Sequence, residues 1–280
     1  MRYRKHSAAR EAGVTLIELV IVIAITAIIA GGVAVFISRP FEGYIDTARR
    51  AELTDIADTA LRRITRDLRS ALPNSIRITC VPAGCTSDTD VYYLEYLQTS
   101  GGGRYRAELD NLGGGDPLYF AGTDSNSSFD VLGTMPTLAA GDSIVVYNLA
   151  WSGTIANAYF GDNRRAYSSS TGNTITVSPN TAFPYPSPGR RFQVVQYPVT
   201  YMCNPTTGEL RRYWNYTITA AQDTPPTTPN NALLATAITR CSLTYTTSGE
   251  RTSVVGLAVR VERDGEFVRL FQQVQVNNAP

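Results

Sequence analysis

Apolar residues are arranged along this chain in three successive patterns. The first is an uncharged, almost wholly apolar run between Leu19 and Ile37. As a helix it would be roughly 28 Å long, close to the hydrocarbon thickness of a bilayer. From Leu53 the pattern becomes periodic. Leu53, Ile56, Ala57, Ala60, Leu61, Ile64, Leu68 and Leu72 recur at three- and four-residue spacings, while Arg49, Arg50, Glu52, Asp55, Asp58, Arg62, Arg63, Arg66 and Asp67 occupy the other faces. That spacing predicts an amphipathic helix with one face laid on a core, and Pro73 supplies its stop. Taken as one helix from Val14 to Leu72, the two parts would reach roughly 88 Å. Gly31-Gly32, Pro40 and Gly43 are places where it could kink.

The third pattern, beyond Pro73, is a series of short runs rich in β-branched and aromatic residues. Expected strands are Ser75–Cys80, Asp90–Leu97, Ser143–Asn148, Asn173–Val177, Gln193–Met202, Glu209–Thr217, Val254–Glu262 and Glu266–Val276. The last two flank Asp264-Gly265, a two-residue turn signal suited to antiparallel strands. A second hairpin is expected to turn at Thr206-Thr207-Gly208. Gly101–Gly103, Gly113–Gly115, Asp124–Ser128 and Asp223–Asn231 read as loops from their composition. The expected fold class is α+β: a long N-terminal helix, transmembrane then amphipathic, packed on an antiparallel β-rich globular domain. The expected layout is a basic leader at 1–13, a hydrophobic helix at 14–37, its amphipathic continuation at 38–72 and an exported domain at 73–280.

Charge sharpens this picture. The chain carries a net charge of only +1, yet Arg2, Arg4, Lys5 and Arg10 stand against Glu11 alone before the apolar run. Positive charge on that flank holds it in the cytoplasm and sends the remainder outward. The expected location is therefore a single pass of an inner membrane, with the N-terminus cytoplasmic and the following domain periplasmic. The remainder is not basic enough to imply nucleic-acid binding.

Composition then removes several chemistries. The single histidine is His6 and the single lysine is Lys5. After Gly13 there is no His-based triad, His metal ligand or Schiff-base lysine to draw on, so no catalytic residue, cofactor or enzymatic role is expected. Cys80, Cys85, Cys203 and Cys241 are an even count in an exported domain and read as two disulfides. Of three connectivities the sequential one, Cys80–Cys85 and Cys203–Cys241, is expected, the alternative being unpaired buried thiols. The acidic pairs Asp88/Asp90, Asp110/Asp116 and Asp124/Asn126 offer oxygen ligands, but none has EF-hand spacing, and solvated turns are the simpler reading. Arginine pairs at 164–165, 190–191 and 211–212 read as solvated surface. Tyr92, Tyr93, Tyr96, Tyr213 and Tyr216 fit either a recognition surface or half-buried strand positions.

The most informative stretch is Ala12-Gly13-Val14-Thr15-Leu16-Ile17-Glu18. It resembles the cleavage motif of type IV prepilins, with Val14 in place of the commoner Phe. The resemblance implies that prepilin peptidase cuts after Gly13 and that the new amino terminus, Val14, is methylated. It also implies a pilin-like fold, and a registration role for Glu18 during assembly with other pilins on the inner-membrane platform. Physical chemistry agrees with each role. Gly13 lacks a Cβ and can lie extended in a peptidase cleft. Glu18, at the mouth of an apolar helix, would cost several kcal/mol if buried unpaired, and the amine of a neighbouring subunit could neutralise it. Three other readings compete: a carboxylate stabilised only by the helix dipole, a secretory signal cut near Ala34, and a plain signal anchor.

A narrower resemblance is carried by Arg39-Pro40-Phe41-Glu42-Gly43-Tyr44, Arg49-Arg50-Ala51-Glu52-Leu53, Ala71-Leu72-Pro73-Asn74-Ser75, Phe192-Gln193-Val194-Val195 and Gln273-Val274-Gln275-Val276-Asn277-Asn278. These segments are similar to minor pilin-like proteins of the mannose-sensitive haemagglutinin (MSHA) pilus system. The similarity implies a low-abundance subunit that starts, caps or decorates such a pilus. A type II secretion pseudopilin, and a membrane-anchored exported adhesin or enzyme, remain as alternatives.

Overall fold

The structure, a computed structural model, describes residues 13–120, 127–247 and 252–280. The basic leader therefore lies, apart from Gly13, outside the described residues, as do Asp124 and Asn126. Helix α1 is Leu16–Leu68. Twelve strands follow: β1 Arg77–Val81, β2 Val91–Tyr105, β3 Ser128–Leu132, β4 Ser143–Val146, β5 Arg164–Thr171, β6 Thr174–Ser178, β7 Arg191–Asn204, β8 Glu209–Trp214, β9 Asn231–Ala235, β10 Ile238–Thr247, β11 Thr252–Arg263 and β12 Glu266–Asn277. The chain divides into two compact units, one ending at Ala51 and the other running from Glu52 to Pro280. The first contains the apolar run, and α1 is assigned through Gly31-Gly32, Pro40 and Gly43.

In the second unit the amphipathic stripe finds its partner. Leu53, Ala57, Ala60, Leu61, Ile64 and Leu68 are buried in one core with Leu94, Tyr96, Val199 and Tyr201 of a large sheet and with Leu243, Val255, Leu257 and Val274 of a small one. The helix stops at Leu68, one turn before the expected Leu72. The next residues are claimed by the sheet: the Leu72 amide donates to the Leu97 carbonyl at 2.8 Å, and the Thr99 amide to the Ser70 carbonyl at 2.9 Å.

The small sheet is β10-β11-β12, antiparallel throughout. Its β11–β12 hairpin turns at Asp264-Gly265, with Arg263 paired to Glu266. Both turn residues have positive φ, 52° and 84°, as a type I′ turn requires. The large sheet has nine strands in the order β1-β2-β3-β6-β5-β4-β7-β8-β9, and β2 also pairs with β7. That extra pairing closes β2, β3, β6, β5, β4 and β7 into a ring around a second core that includes Tyr105, Phe129, Val131, Ile144, Ile175 and Phe192. Both β2 and β7 are shared. Their halves near Leu94 and Tyr201 pack against the helix, and their halves near Gly103 and Phe192 belong to the ring. Register shifts between Gln98 and Gly101 mark the changeover, where bulges add local twist and bend.

Several expectations need correcting. Gly101–Gly103 is not a loop but part of β2, near its end. A Cβ on Gly102 would stand 2.5 Å from the Phe192 carbonyl oxygen, and one on Gly103 would stand 2.9 Å from the Phe192 ring. Glycine here permits a close approach, not a turn. The loop expected at Asp124–Ser128 ends in the first residue of β3, and β9 begins at Asn231. Strands β3, β5, β9 and β10 were not expected at all.

Candidate functional site

The residues singled out by the sequence gather at the start of α1. Val14 is 70% exposed, and a Cβ at Gly13 would meet nothing within 4 Å, so among the described residues nothing shields the bond between them. Thr15 is the helix cap: its Oγ1 accepts the Glu18 amide at 3.3 Å, while its carbonyl accepts the Leu19 amide at 3.1 Å. This Thr-x-x-Glu arrangement fixes where the helix begins. It was legible in the sequence as a capping pattern and was not singled out there. Glu18 falls in the first turn, exposed, where the helix dipole favours its negative charge. No ion pair to it is formed among the described residues.

Behind the cap the surface is apolar on every side. Leu16–Val33 is the one helical span among the described residues long and apolar enough to cross a membrane, with mean hydropathy 2.6 and none of it buried by the protein. Its hydroxyl is satisfied internally, since Thr26 Oγ1 donates to the carbonyls of Val22 at 2.7 Å and Ile23 at 3.1 Å. A helix end with one carboxylate and an all-round apolar shaft can do one thing chemically. It can enter a low-dielectric environment, provided a cation meets the carboxylate.

The other flagged residues serve the globular unit. Cys80 is joined to Cys85, and Cys203 of β7 to Cys241 of β10, with Cα atoms 5.3 and 6.5 Å apart. The second bond ties the large sheet to the small one. Asp90 accepts the amides of Thr86 and Ser87, Asp110 those of Leu112 and Gly114, and Asp88 pairs with Arg240 at 2.9 Å. These carboxylates hold turns and a strand. Among the described residues no group of three or more His, Cys, Asp or Glu could hold a metal ion.

The pair at 190–191 is solvent-facing as expected, but those at 164–165 and 211–212 each place one guanidinium inside the fold. Arg165 is buried and donates to the carbonyls of Asp162, Thr181 and Ala182. Arg212 reaches Asp67 in the last turn of α1 at 2.9 Å, and the Tyr201 hydroxyl donates to the same carboxylate at 2.7 Å. Burial pushes the Tyr201 phenol up, and the Asp67 charge beside it pushes the same way. A second buried pair, Arg77–Glu95 at 2.7 Å, lies under Tyr159, with the guanidinium 3.7 Å from the ring centre. Burial raises the Glu95 carboxyl above its ordinary value against the pull of Arg77. Tyr92, Tyr93 and Tyr96 are buried, and Tyr216 shares a 2.6 Å hydrogen bond with Thr200. These tyrosines pack the sheet rather than form a recognition surface.

Against known proteins, residues 8–34 match the prokaryotic N-terminal methylation motif. No curated protein and no solved structure gives a significant match. The motif on a capped, uncovered apolar helix points to a membrane-anchored single-pass protein that is processed by prepilin peptidase and assembles with other pilins. The N-terminal segment is thus that of a type IV pilin-like or pseudopilin subunit.

Proposed function

We propose that this chain is a minor pilin-like structural subunit of the MshO type, without enzymatic activity, that is incorporated into or initiates an MSHA-like type IV pilus. Prepilin peptidase cuts it after Gly13, and Val14 becomes the N-methylated terminus. Before assembly it spans the inner membrane once, N-terminus in the cytoplasm and β domain in the periplasm; the assembly platform then moves it into the filament. The supporting observation is the Leu16–Val33 span, apolar on every face and buried by nothing among the described residues, with Glu18 at its entrance. Such a surface needs lipid first and neighbouring helices afterwards. In the filament the positive amine of one subunit meets Glu18 of the next, and the cost of leaving that carboxylate unpaired selects one axial offset.

The test is the intact mass and N-terminal peptide of the protein from cells containing a prepilin peptidase. A mature chain beginning at N-methylated Val14, lost in Gly13→Ala, is expected. An uncut chain, or a cut near Ala34, overturns the reading. Glu18→Ala and Glu18→Gln should leave export and both disulfides intact and lower incorporation by about tenfold or more, the equivalent of one unmet charge pair. Unchanged incorporation of both variants removes the registration role. A type II secretion pseudopilin would share the same processing; loss of secretion, with pili intact, in a deletion strain would assign the subunit to that machine.

A further inference from the structure

The outer wall of the strand ring carries a shallow trough of about 440 Å³ on the β2–β7 pair, within the size range of ligand sites. Its floor is backbone. Gly102 cannot carry a side chain, because a Cβ there would stand 2.5 Å from the Phe192 carbonyl oxygen. Strand β3 pairs with β2 only at Arg104 and Tyr105, so the edge of β2 at Gly101–Gly103 runs beside no described strand on that side.

Two arginines flank this floor. Arg104 and Arg191 are direct cross-strand partners, both exposed. Like charges placed opposite each other on a sheet destabilise it. Their neighbours are neutralised, Arg106 by Asp130 at 3.1 Å and Arg190 by Glu108 at 3.4 Å, but no carboxylate among the described residues answers Arg104 or Arg191. Gln193, two residues along β7 on the same face, lines the trough and is half-buried. Leu132, partner of Arg104 on β3, and Thr134 complete the wall.

We infer that this trough binds the uronate carboxylates of an acidic polysaccharide. A carboxylate between the two guanidiniums relieves their repulsion with planar, charge-assisted hydrogen bonds. The side-chain-free floor at Gly102 lets a sugar ring approach the strand backbone beside the two guanidiniums. An acidic protein segment fits less well. Protein docking sites rely on aromatic anchors in desolvated pockets, and the one aromatic residue at this trough, Phe192, is turned into the ring core. The inference is independent of the assembly role proposed above.

The test uses the full chain in detergent at low salt. Its probes are a labelled oligogalacturonate, the methyl ester of that oligomer, and an oligoglutamate of equal charge. Oligogalacturonate is expected to bind, and esterification or the Arg104→Gln/Arg191→Gln double variant to weaken it about tenfold or more. Arg190→Gln, whose guanidinium meets Glu108, should leave Kd unchanged. Removing two facing like charges should leave Tm equal or higher, which separates lost binding from lost folding. No binding of the oligogalacturonate, or undiminished binding by the double variant, overturns the inference. Equal or tighter binding of oligoglutamate also overturns it and assigns the trough to an acidic protein segment.

Discussion

Leu16, Ile17 and Ile28 are 82%, 69% and 75% exposed, whereas Leu53, Ala57, Leu61 and Ile64 of the same helix are sealed to 2% or less. The two stretches differ in apolar content and, with it, in arrangement: the first is apolar all round, the second only along one stripe. A stripe at helical spacing can be covered from one side by a sheet, and in the second unit it is. An apolar surface on every face needs an environment on every face, and a domain packed on one side of the helix cannot supply it. The first stretch is therefore addressed to lipid and to other helices, the second to its own chain. The polar residues follow the same rule. Asp67 is met by Arg212 and Tyr201 within the fold, while Glu18 has no ion-pair partner among the described residues.

The contrast can be broken from either end. The largest effect is expected from Asp67→Ala, which leaves Arg212 buried without its carboxylate. It should lower unfolding stability by about 3–5 kcal/mol in denaturant titrations. A paired comparison sharpens the contrast further. Ile64→Ala should cost about 2–5 kcal/mol through lost burial and the cavity left behind, whereas Ile21→Ala should stay within about 0.5 kcal/mol in the same assay. Equal losses from the two would mean that both stretches are paid for by one fold. The smallest effect is expected from Thr15→Ala. Loss of the cap should cost about 1 kcal/mol, read as roughly fivefold faster amide exchange in the first turn with the globular unit unchanged.

Much of this architecture could be read from local pattern. The apolar run, the stripe from Leu53 and the Asp264-Gly265 turn each carry their signal within a few residues, and each appears in the structure close to the expected positions. Strand β10 had such a signal, the alternation of Cys241, Leu243 and Tyr245, and it was overlooked. Strand β5 had none: Arg164-Arg165-Ala166-Tyr167-Ser168-Ser169-Ser170-Thr171 is almost entirely polar and largely solvent-facing. It is held by its neighbours β4 and β6 rather than by its own propensity. The ring was illegible for a related reason, because its closure depends on β2 meeting β7, strands whose nearest ends are 86 residues apart in number. The same holds for the Asp67–Arg212 pair, whose members are separated by 145 positions. In the candidate site, Gly13, Val14 and Glu18 stood out because their meaning is local, and the geometry adds only the Thr15 cap.

Because β2 and β7 belong both to the ring and to the sheet behind the helix, they also set how the domain carries force. A pull on the ring directed along these strands would load their shared hydrogen bonds in shear, so that many must yield together. A pull across them would peel the bonds one at a time. The Cys203–Cys241 bond at the far end of β7 carries such a load covalently into the small sheet. A subunit held by its helix and tugged at its ring would therefore resist best when the tension runs along the strands.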